Sequence, residues 1–511
     1  MPTPIDHTTP LYMVIGMFVL FILGGLTHKL RKHPENYGFG GSYTGWLGSG
    51  AAIASNWMSA ASIMGLAGIF YVKGYYALAF VIGWTGGYIL LLLLMASQIR
   101  RFGKFTAPDF VGFRYESETA RTIAALISIT ISIIYCVAQY RGIALLVAWI
   151  FGIDYRSALL LGAAITIGLI VIYGALGVAR NQKLQYFVLI TAFIVPLMYL
   201  NQQLGYFWIL PQFGYGKAMV DLQQHFGFFW AEPFTTVSIY HWLALCFTLI
   251  FGTCGLPHVL SRFYLTPRMR DARWGVVLGL FFISLIYWSA PAYGVLTRLL
   301  DAYSGAPFKV ADPATADMVI VYAATQAGLP EYLVGLLVAG GMAAAFYAIS
   351  GLLQSGSATF AYDIYPRILR PNATEQNKLL MAKAFFLLLS AVVLLLSFLD
   401  IGMIAEITAI AFALAGNTIF PAFLLGIWWS RANAAGVISG MLAGIFITFS
   451  SLLLGDFIPI VKTVFPITSS AFLGAPLVII IMIIVSRATA APSPATVSFL
   501  IQDVHDAGGS Q

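Results

Sequence analysis

The chain alternates between long apolar segments and short polar ones from one end to the other. An α-helix needs about 20 mainly apolar residues to cross the hydrocarbon core of a bilayer. Since lipid offers no partners to backbone groups, a chain with this pattern spans the membrane as helices. We therefore predict an all-α integral membrane protein with about 13 transmembrane helices. The apolar segments lie at about 9–27, 45–73, 75–98, 121–151, 156–176, 183–202, 238–264, 273–299, 332–365, 378–399, 401–428, 434–455 and 466–487.

The composition favours a single membrane domain over soluble domains. Hydrophobic residues occupy 60% of the 511 positions and charged residues only 9%, which is more apolar surface than a water-soluble fold could bury. The net charge of +7 arises from a shortage of acids and from basic residues clustered between apolar segments. This distribution is typical of orientation signals rather than of a nucleic-acid-binding surface. We therefore predict that the protein contacts the lipid bilayer and that it does not bind nucleic acid.

Basic residues concentrate in every second loop, which predicts the orientation of the chain. They begin with Lys29, Arg31 and Lys32 after the first apolar segment, and Arg100 and Arg101 follow the third. Positively charged loops remain on the cytoplasmic side of a membrane. We therefore predict a multi-pass protein of the cell (inner) membrane, with its N-terminus outside and its C-terminus in the cytoplasm.

Two apolar segments have the features of interrupted helices. Residues 45–62 are dense in glycine and serine, and residues 252–258 contain two glycines and a proline. Proline removes a backbone donor and breaks a helix, although small residues also occur where helices simply pack closely. Interruptions at corresponding places in two halves of a transporter indicate a binding site near the bilayer midplane. Free amides at the start of a half-helix favour an anion such as a carboxylate.

Several long motifs resemble the sodium:solute symporter family. The resemblance is strongest to its acetate/monocarboxylate permease branch and to similar transporters that pair with a small two-helix subunit, and it covers nearly the whole chain. The motifs that carry it are NWMSAASIMGLAG (56–68), GYYALAFVIGWTGGY (74–88), FGKFTAPDFVGFRY (102–115), FGTCGLPHVLSRFYLTPRMRDAR (251–273), AYDIY (361–365) and LLGIWWSRANAAGVISGMLAG (424–444).

The resemblance implies a five-plus-five inverted repeat of the leucine-transporter type, with the first and sixth core helices broken. It also implies secondary active transport of a small organic acid by alternating access, with Na+ or H+ as the candidate coupling ion and no other cofactor, and it makes a small membrane subunit a candidate partner. The domains implied are an N-terminal helix and linker (1–44), a first repeat (45–203), an extracellular loop (204–237), a second repeat (238–428), two C-terminal helices (429–487) and a flexible tail (488–511).

Polar residues at the two interruptions and on the fourth segment are candidate substrate ligands. Arg141 lies deep in an apolar segment, where a charge is costly, so it is either a structural tether or a fixed positive charge for a carboxylate or in place of a cation. His258 is either a packing residue or, given its ordinary pKa, a proton carrier. The full candidate set is Ser59, Ser62, Gln139, Arg141, Thr253, Pro257 and His258.

The resemblance also implies a cation site, and the chain departs from it. Carbonyl ligands would fall at Ser55 and Met58, and an adjacent pair of hydroxyl residues would fall at Tyr347 and Ala348. A phenol and a methyl group replace that pair, so we predict that sodium coupling is altered or lost. An acidic ligand of some relatives would fall near Gln182, which is uncharged. A shifted alignment would instead recruit a serine at position 350, 355 or 357.

No motif of enzyme chemistry or of ATP hydrolysis occurs in the chain, since HExxH, GxxxxGK[ST] and GxSxG are all missing. We therefore predict that the protein is not an enzyme. Two alternatives to a coupled carboxylate transporter stay open. One is a transporter-like nutrient sensor, and the other is an uncoupled or proton-coupled carrier of another small solute such as an amino acid.

Overall fold

A computed structural model describes residues 7–29, 50, 54–55, 57–102, 106–180, 182–226, 232, 234, 237–263, 269–304, 313–399, 402–499 and 504. All regular secondary structure in this part of the chain is helical. The predicted linker at 30–44 and part of the predicted loop at 204–237 lie outside the described residues.

The first helices are α1 (Thr8–Lys29), a π-helical turn (Ala61–Gly65) that continues as α2 (Leu66–Lys73), a 3-10 turn (Gly74–Ala77) that continues as α3 (Leu78–Leu94), α4 (Ala96–Phe102), α5 (Ala107–Arg114), α6 (Glu118–Phe151), α7 (Tyr155–Arg180), α8 (Gln182–Gln203) and α9 (Pro211–Phe226).

The remaining helices complete the bundle. They are α10 (Ile239–Gly255), α11 (Pro257–Phe263), α12 (Met269–Tyr287), α13 (Ala290–Ser304), α14 (Pro313–Asp317), α15 (Val319–Gln326), α16 (Glu331–Thr359) with a π-helical extension (Phe360–Leu369), α17 (Glu375–Ser397), α18 (Ile404–Asn417), α19 (Ile419–Trp428), α20 (Ala434–Leu454), α21 (Pro459–Val464), α22 (Ala471–Ala488) and α23 (Pro494–Phe499).

Helix length and composition confirm the predicted membrane spans. Within the described residues, nine helical stretches are long and apolar enough to cross a bilayer, and three shorter apolar helices accompany them. One of the nine, Ala61–Leu94, counts as two spans, because the chain turns at Gly74 (φ 56). Lys73 contacts Glu406 near the start of α18, whereas Leu94 accepts a hydrogen bond from Trp428 at the end of α19. With that extra span, the described helices account for the thirteen predicted from the apolar pattern.

The centre of the bundle is built from helices with small residues on their contact faces. A Cβ atom at Gly340 of α16 would lie 2.5 Å from the Cβ of Ala192 on α8, and one at Gly252 of α10 would collide with Phe412 of α18. Close approach of this kind is how helices pack in lipid, where there is no hydrophobic drive between them. Peripheral α17 instead turns exposed leucines such as Leu395 outward, as a lipid-facing helix does.

Both predicted helix interruptions are present. Met58 and Ser59 leave helical geometry, and the chain resumes as a helix at Ala60. Between α10 and α11, Leu256 is extended (φ −71, ψ 117). Pro257 follows as the first residue of α11, a position where its missing N–H leaves no intrahelical bond unmade. The interruptions therefore leave backbone groups available in the middle of the bundle.

The C-terminal segment differs from the flexible tail that the sequence predicts. Ser493 and Thr496 both donate hydrogen bonds to the carboxylate of Glu116, in the turn between α5 and α6. These bonds lower the pKa of Glu116. The ring of Phe499 packs against rings of α4 and α5. The tail is thus attached to the bundle as far as Phe499, and most of the residues beyond it lie outside the described part.

Candidate functional site

The first helix interruption gathers four hydroxyl groups from three separate helices. Ser59 Oγ lies 3.4 Å from Ser62 Oγ, and the phenol of Tyr135 on α6 donates to Ser59 Oγ over 3.2 Å. Ser62 Oγ lies 3.0 Å from the phenol oxygen of Tyr287, the last residue of α12. All four side chains are buried. The broken helix therefore brings Ser59 and Ser62, both predicted from the sequence, to two phenols that sequence reasoning missed.

Aromatic rings enclose these hydroxyl groups. Neighbouring ring centroids lie 5.2 to 6.2 Å apart, in tilted or edge-to-face arrangements, which are the geometries that aromatic pairs prefer. We call the serine pair and the surrounding rings the central site. Its members are Ser59, Ser62, Trp57, Trp84, Tyr88, Tyr135, Tyr287 and Phe412.

Gln139 of α6 borders the central site and contacts the interrupted backbone. Its Oε1 accepts a hydrogen bond of 2.8 Å from the N–H of Ala60, where the helix resumes. The side chain is fully buried, and Nε2 has no hydrogen-bond partner among the described residues. Gln139 therefore caps the half-helix with one end of its amide and holds an unsatisfied donor at the other.

The three candidates at the second interruption take different positions. The His258 ring lies 5.6 Å from the ring of Tyr135, at the edge of the central site. Pro257 begins α11 and forms the interruption itself. Thr253 donates its hydroxyl to the carbonyl of Leu249 over 2.7 Å and packs against Gly87 of α3. His258 thus brings its ring to the central site, whereas Pro257 shapes the backbone and Thr253 packs between two helices.

Arg141 forms a buried ion pair with an acid of the short helix α14. Its Nε lies 3.1 Å from Oδ2 of Asp317, at the end of α14. Both side chains are almost inaccessible, at 4% and 0% exposure. The backbone N–H of Ile404, the first residue of α18, donates to both oxygens of the same carboxylate over 3.1 and 3.3 Å. Burial raises the pKa of Asp317 to about 7.

Helices α14 and α15, residues 313–326, lie over the interrupted helix, and we call them the lid. A Cβ atom added at Gly68 of α2 would lie 2.5 Å from the carbonyl oxygen of Ala316. Lys73 and Glu406 form a half-exposed ion pair of 2.5 Å between α2 and α18 nearby. The lid is thus in close contact with the half of the broken helix that follows the interruption.

The expected cation positions are partly engaged in other contacts. Ser55 Oγ donates to Oε1 of Gln185 on α8 over 2.5 Å, and Met58 is buried at the interruption. The Tyr347 ring packs edge-on against Phe21 of α1, with centroids 5.4 Å apart. Ala348 is half-buried and brings only a methyl group.

The alternative cation ligands are also engaged or lie outside the description. The Ser357 hydroxyl donates to its own helix at Leu353, and Ser350 accepts a hydrogen bond from Gln354. The side chain of Gln182 lies outside the described residues. In the described part of the chain, no three His, Cys, Asp or Glu side chains come together as a metal site. Gln185, one turn beyond Gln182, is a contact that sequence reasoning missed.

Comparison with known proteins identifies relatives over most of the chain. The model of the sodium:solute symporter family matches residues 37–444. An uncharacterized symporter of Cupriavidus necator is 27% identical, over 88% of this chain and 87% of its own length. The uncharacterized symporter YwcA of Bacillus subtilis is 29% identical, over 92% of this chain and 89% of its own.

Two solved structures share the fold. A Na+-coupled sialic acid symporter, in a substrate-bound outward-open state, superposes with a TM-score of 0.74 at 18% identity and covers 96% of this chain and 100% of its own. The nucleobase-cation-symport-1 family transporter MHP1, closed with bromovinylhydantoin bound, gives 0.52 at 13% identity, over 92% of this chain and 99% of its own. Both are leucine-transporter-type folds, so the predicted fold class is confirmed.

Proposed function

This chain belongs to the sodium:solute symporter family, and we propose that it carries a small organic acid of the acetate or monocarboxylate type across the membrane by alternating access. Family and fold make it a multi-pass membrane transporter rather than an enzyme. The substrate, the direction of the chain in the membrane and the coupling ion belong to the proposal.

The amide of Gln139 is the observation that carries the carboxylate assignment. Its Oε1 accepts from the Ala60 N–H, at the positive end of a half-helix dipole. Nε2 of the same amide has no hydrogen-bond partner among the described residues, and it would form a charge-assisted hydrogen bond with a carboxylate oxygen of the substrate. The hydroxyls of Ser59 and Ser62 would then hold the second oxygen. The bulky rings around these hydroxyls favour a small acid over a large one.

Transport requires that this site open to each side in turn. The interruptions at Ser59 and Leu256 divide their helices into halves that can tilt separately, which is the movement expected of transporters with broken core helices. The lid faces the outer half of the broken helix, and the basic loops of the sequence support an orientation with the lid outside. A small membrane subunit, implied by the resemblance, stays a prediction.

The cation positions support altered coupling. Sodium prefers several oxygen ligands, and neither Ala348 nor a ring-packed Tyr347 offers the pair of aliphatic hydroxyls that the resemblance implies. Ser55 is already hydrogen-bonded to Gln185. We propose transport that does not require sodium and that proceeds with protons or without a coupling ion.

Ligand-dependent stability of the purified protein tests the substrate class. A ligand that binds the folded state raises its melting temperature, so acetate, propionate and pyruvate should give saturable increases. Matched concentrations of alanine, glucose and chloride salts are the comparison. If alanine or glucose raises the melting temperature and none of the three acids does, the substrate belongs to another solute class.

A further inference from the structure

Asp317 anchors the lid to the bundle through two groups that do not belong to the lid. The guanidinium of Arg141 comes from α6, and the backbone N–H of Ile404 comes from the first turn of α18. Both contacts are made by one carboxylate with no exposed surface. A single acid therefore joins the lid to two core helices.

Arg141 and the Ile404 N–H together have the chemistry of a carboxylate receptor. A guanidinium forms strong charge-assisted bonds with a carboxylate. The amide at the start of the 14-residue helix α18 adds a donor and the positive end of a helix dipole. Neither group is specific for an aspartate of the same chain. Any small carboxylate that reached this position would meet the same donors.

The receptor lies close to the first turns of the broken helix. A Cβ atom at Gly142 would contact both Ala60 and the Ile404 side chain, and one at Gly65 would contact the backbone of Ala405. Gly65 is five residues beyond Ala60, at the end of the π-helical turn. The position held by Asp317 thus lies a short distance along the broken helix from the interruption capped by Gln139.

We propose that Arg141 and the Ile404 N–H form an entry subsite for the carboxylate of the transported acid, and that Asp317 of the lid fills this subsite when no solute does. This inference rests on the proposed function, since it requires a carboxylate solute. Solute entry is then an exchange of one carboxylate for another. The lid is released as the solute binds, and no covalent bond changes.

Electrostatics explain why exchange is favoured over simple opening. A buried arginine whose partner is removed is left as an uncompensated charge, which is strongly destabilising. If the lid left alone, Arg141 would lose the buried carboxylate that Asp317 supplies. If a carboxylate solute takes the place of Asp317, the guanidinium stays paired throughout. A neutral or cationic solute cannot make this replacement, so the subsite selects anions before they reach the central site.

A second acid near Asp317 is engaged with a different base. Glu406 is close enough to influence Asp317 electrostatically, and its carboxylate is paired with Lys73 at 2.5 Å. Lys73 itself lies on α2 and is more than one third exposed. Asp317 is therefore the acid that occupies the receptor in this structure.

Chemical rescue of a vacated subsite tests the inference. In Asp317→Ala, acetate should raise the melting temperature saturably, by about 2 °C or more beyond its effect on the wild type. The double variant Asp317→Ala with Arg141→Met should lose this additional increase. Chloride at equal ionic strength is the salt control. Glu331→Ala, which removes another negative charge near the outer end of α16, is the variant control and should respond as the wild type does.

Two results would overturn the entry subsite. One is stabilisation of Asp317→Ala by chloride as large as that by acetate, and the other is an equal acetate effect in the double variant. If Asp317→Ala does not fold, Asp317→Asn replaces it. Loss of the competing charge should then tighten carboxylate binding several-fold, whereas unchanged or weaker binding would contradict the exchange.

The rescue experiment separates this inference from the proposed function. It uses acetate as a probe of the vacated position, so it can succeed even if the wild type neither binds nor transports acetate. Conversely, acetate binding by the wild type with no additional effect in Asp317→Ala would keep the central site and remove the entry subsite.

Discussion

Gln139 shows how one buried side chain can prepare a site for a ligand. Its Oε1 satisfies the Ala60 amide, while its Nε2 is buried without a partner among the described residues. Leaving a buried donor unsatisfied costs about 1–3 kcal/mol. Such a cost is understandable in a residue that finds its second partner in the substrate.

Replacing Gln139 by leucine should therefore weaken carboxylate binding by about 10-fold or more, since the loss of one hydrogen bond to a charged group is worth about 1.5–3 kcal/mol. Isothermal titration of the purified variant measures the change. Gln354→Leu is a matched control, because Gln354 binds Ser350 away from the interruption. An unchanged affinity in Gln139→Leu would remove this residue from the binding site.

Asp317 should make stability depend on pH. Burial raises its pKa from 3.8 to about 7 in the folded protein, so the folded state holds this proton more tightly than the unfolded state does. Its contribution to stability is thus fully present below about pH 4 and is lost as the pH rises towards and through 7. Melting curves of Asp317→Asn, measured beside the wild type at pH 5 to 8, should show a smaller decline. Parallel declines would assign the pH dependence to other groups.

At the scale of single residues, the sequence indicated Ser59 and Arg141 as candidate site residues, but it did not indicate the residues that they contact. Ser59, Gln139 and Arg141 attract notice because polar groups are costly in apolar segments. Their partners Tyr135 and Asp317 do not, since a tyrosine in a span and an aspartate between spans are ordinary. Pairing depends on contacts between segments 76 and 176 residues apart, and one sequence carries no local signal for them.

At the scale of elements, long apolar helices and their interruptions were predictable from the sequence, and the lid was not. Span length and proline placement are local properties that lipid enforces. The lid helices Pro313–Asp317 and Val319–Gln326 are short, so they give no span signal. The docked segment Pro494–Phe499 was missed for the same reason.

Gly68 provides a test of the lid as an element. A Cβ atom there would lie 2.5 Å from the Ala316 carbonyl oxygen, so Gly68→Ala should push the lid outward. Hydrogen–deuterium exchange of residues 313–326 should become faster in this variant. In the control Gly86→Ala, the new Cβ meets only ordinary contacts from 3.6 Å, and lid exchange should stay unchanged. Equal exchange in both variants would mean that the lid does not depend on this contact.

The whole molecule combines a family fold with a phenol and a methyl group at Tyr347 and Ala348, where the resemblance implies a pair of hydroxyl ligands for a cation. The fold follows from spans and breaks that the sequence displays, and the comparisons confirm it. The coupling ion does not follow from the fold, because it depends on individual oxygen ligands such as those missing at Ala348.

Sodium replacement tests coupling for the whole molecule. We expect carboxylate uptake to persist when choline replaces sodium, because the ligand set at Ser55, Tyr347 and Ala348 lacks paired aliphatic hydroxyls. An imposed pH gradient in sodium-free buffer would then distinguish proton coupling from uncoupled transport. A strict, saturable requirement for sodium would show that other oxygens complete the cation site.

Solute uptake by the reconstituted protein is the most direct test of the central claim. Proteoliposomes should accumulate labelled acetate, propionate or pyruvate faster than protein-free liposomes, which correct for passive diffusion of the neutral acids. Uptake should saturate, fall with excess unlabelled acid, and decrease strongly in Gln139→Leu. Uptake of every acid at the protein-free rate, by protein that remains folded after reconstitution, would contradict transport of a small carboxylate.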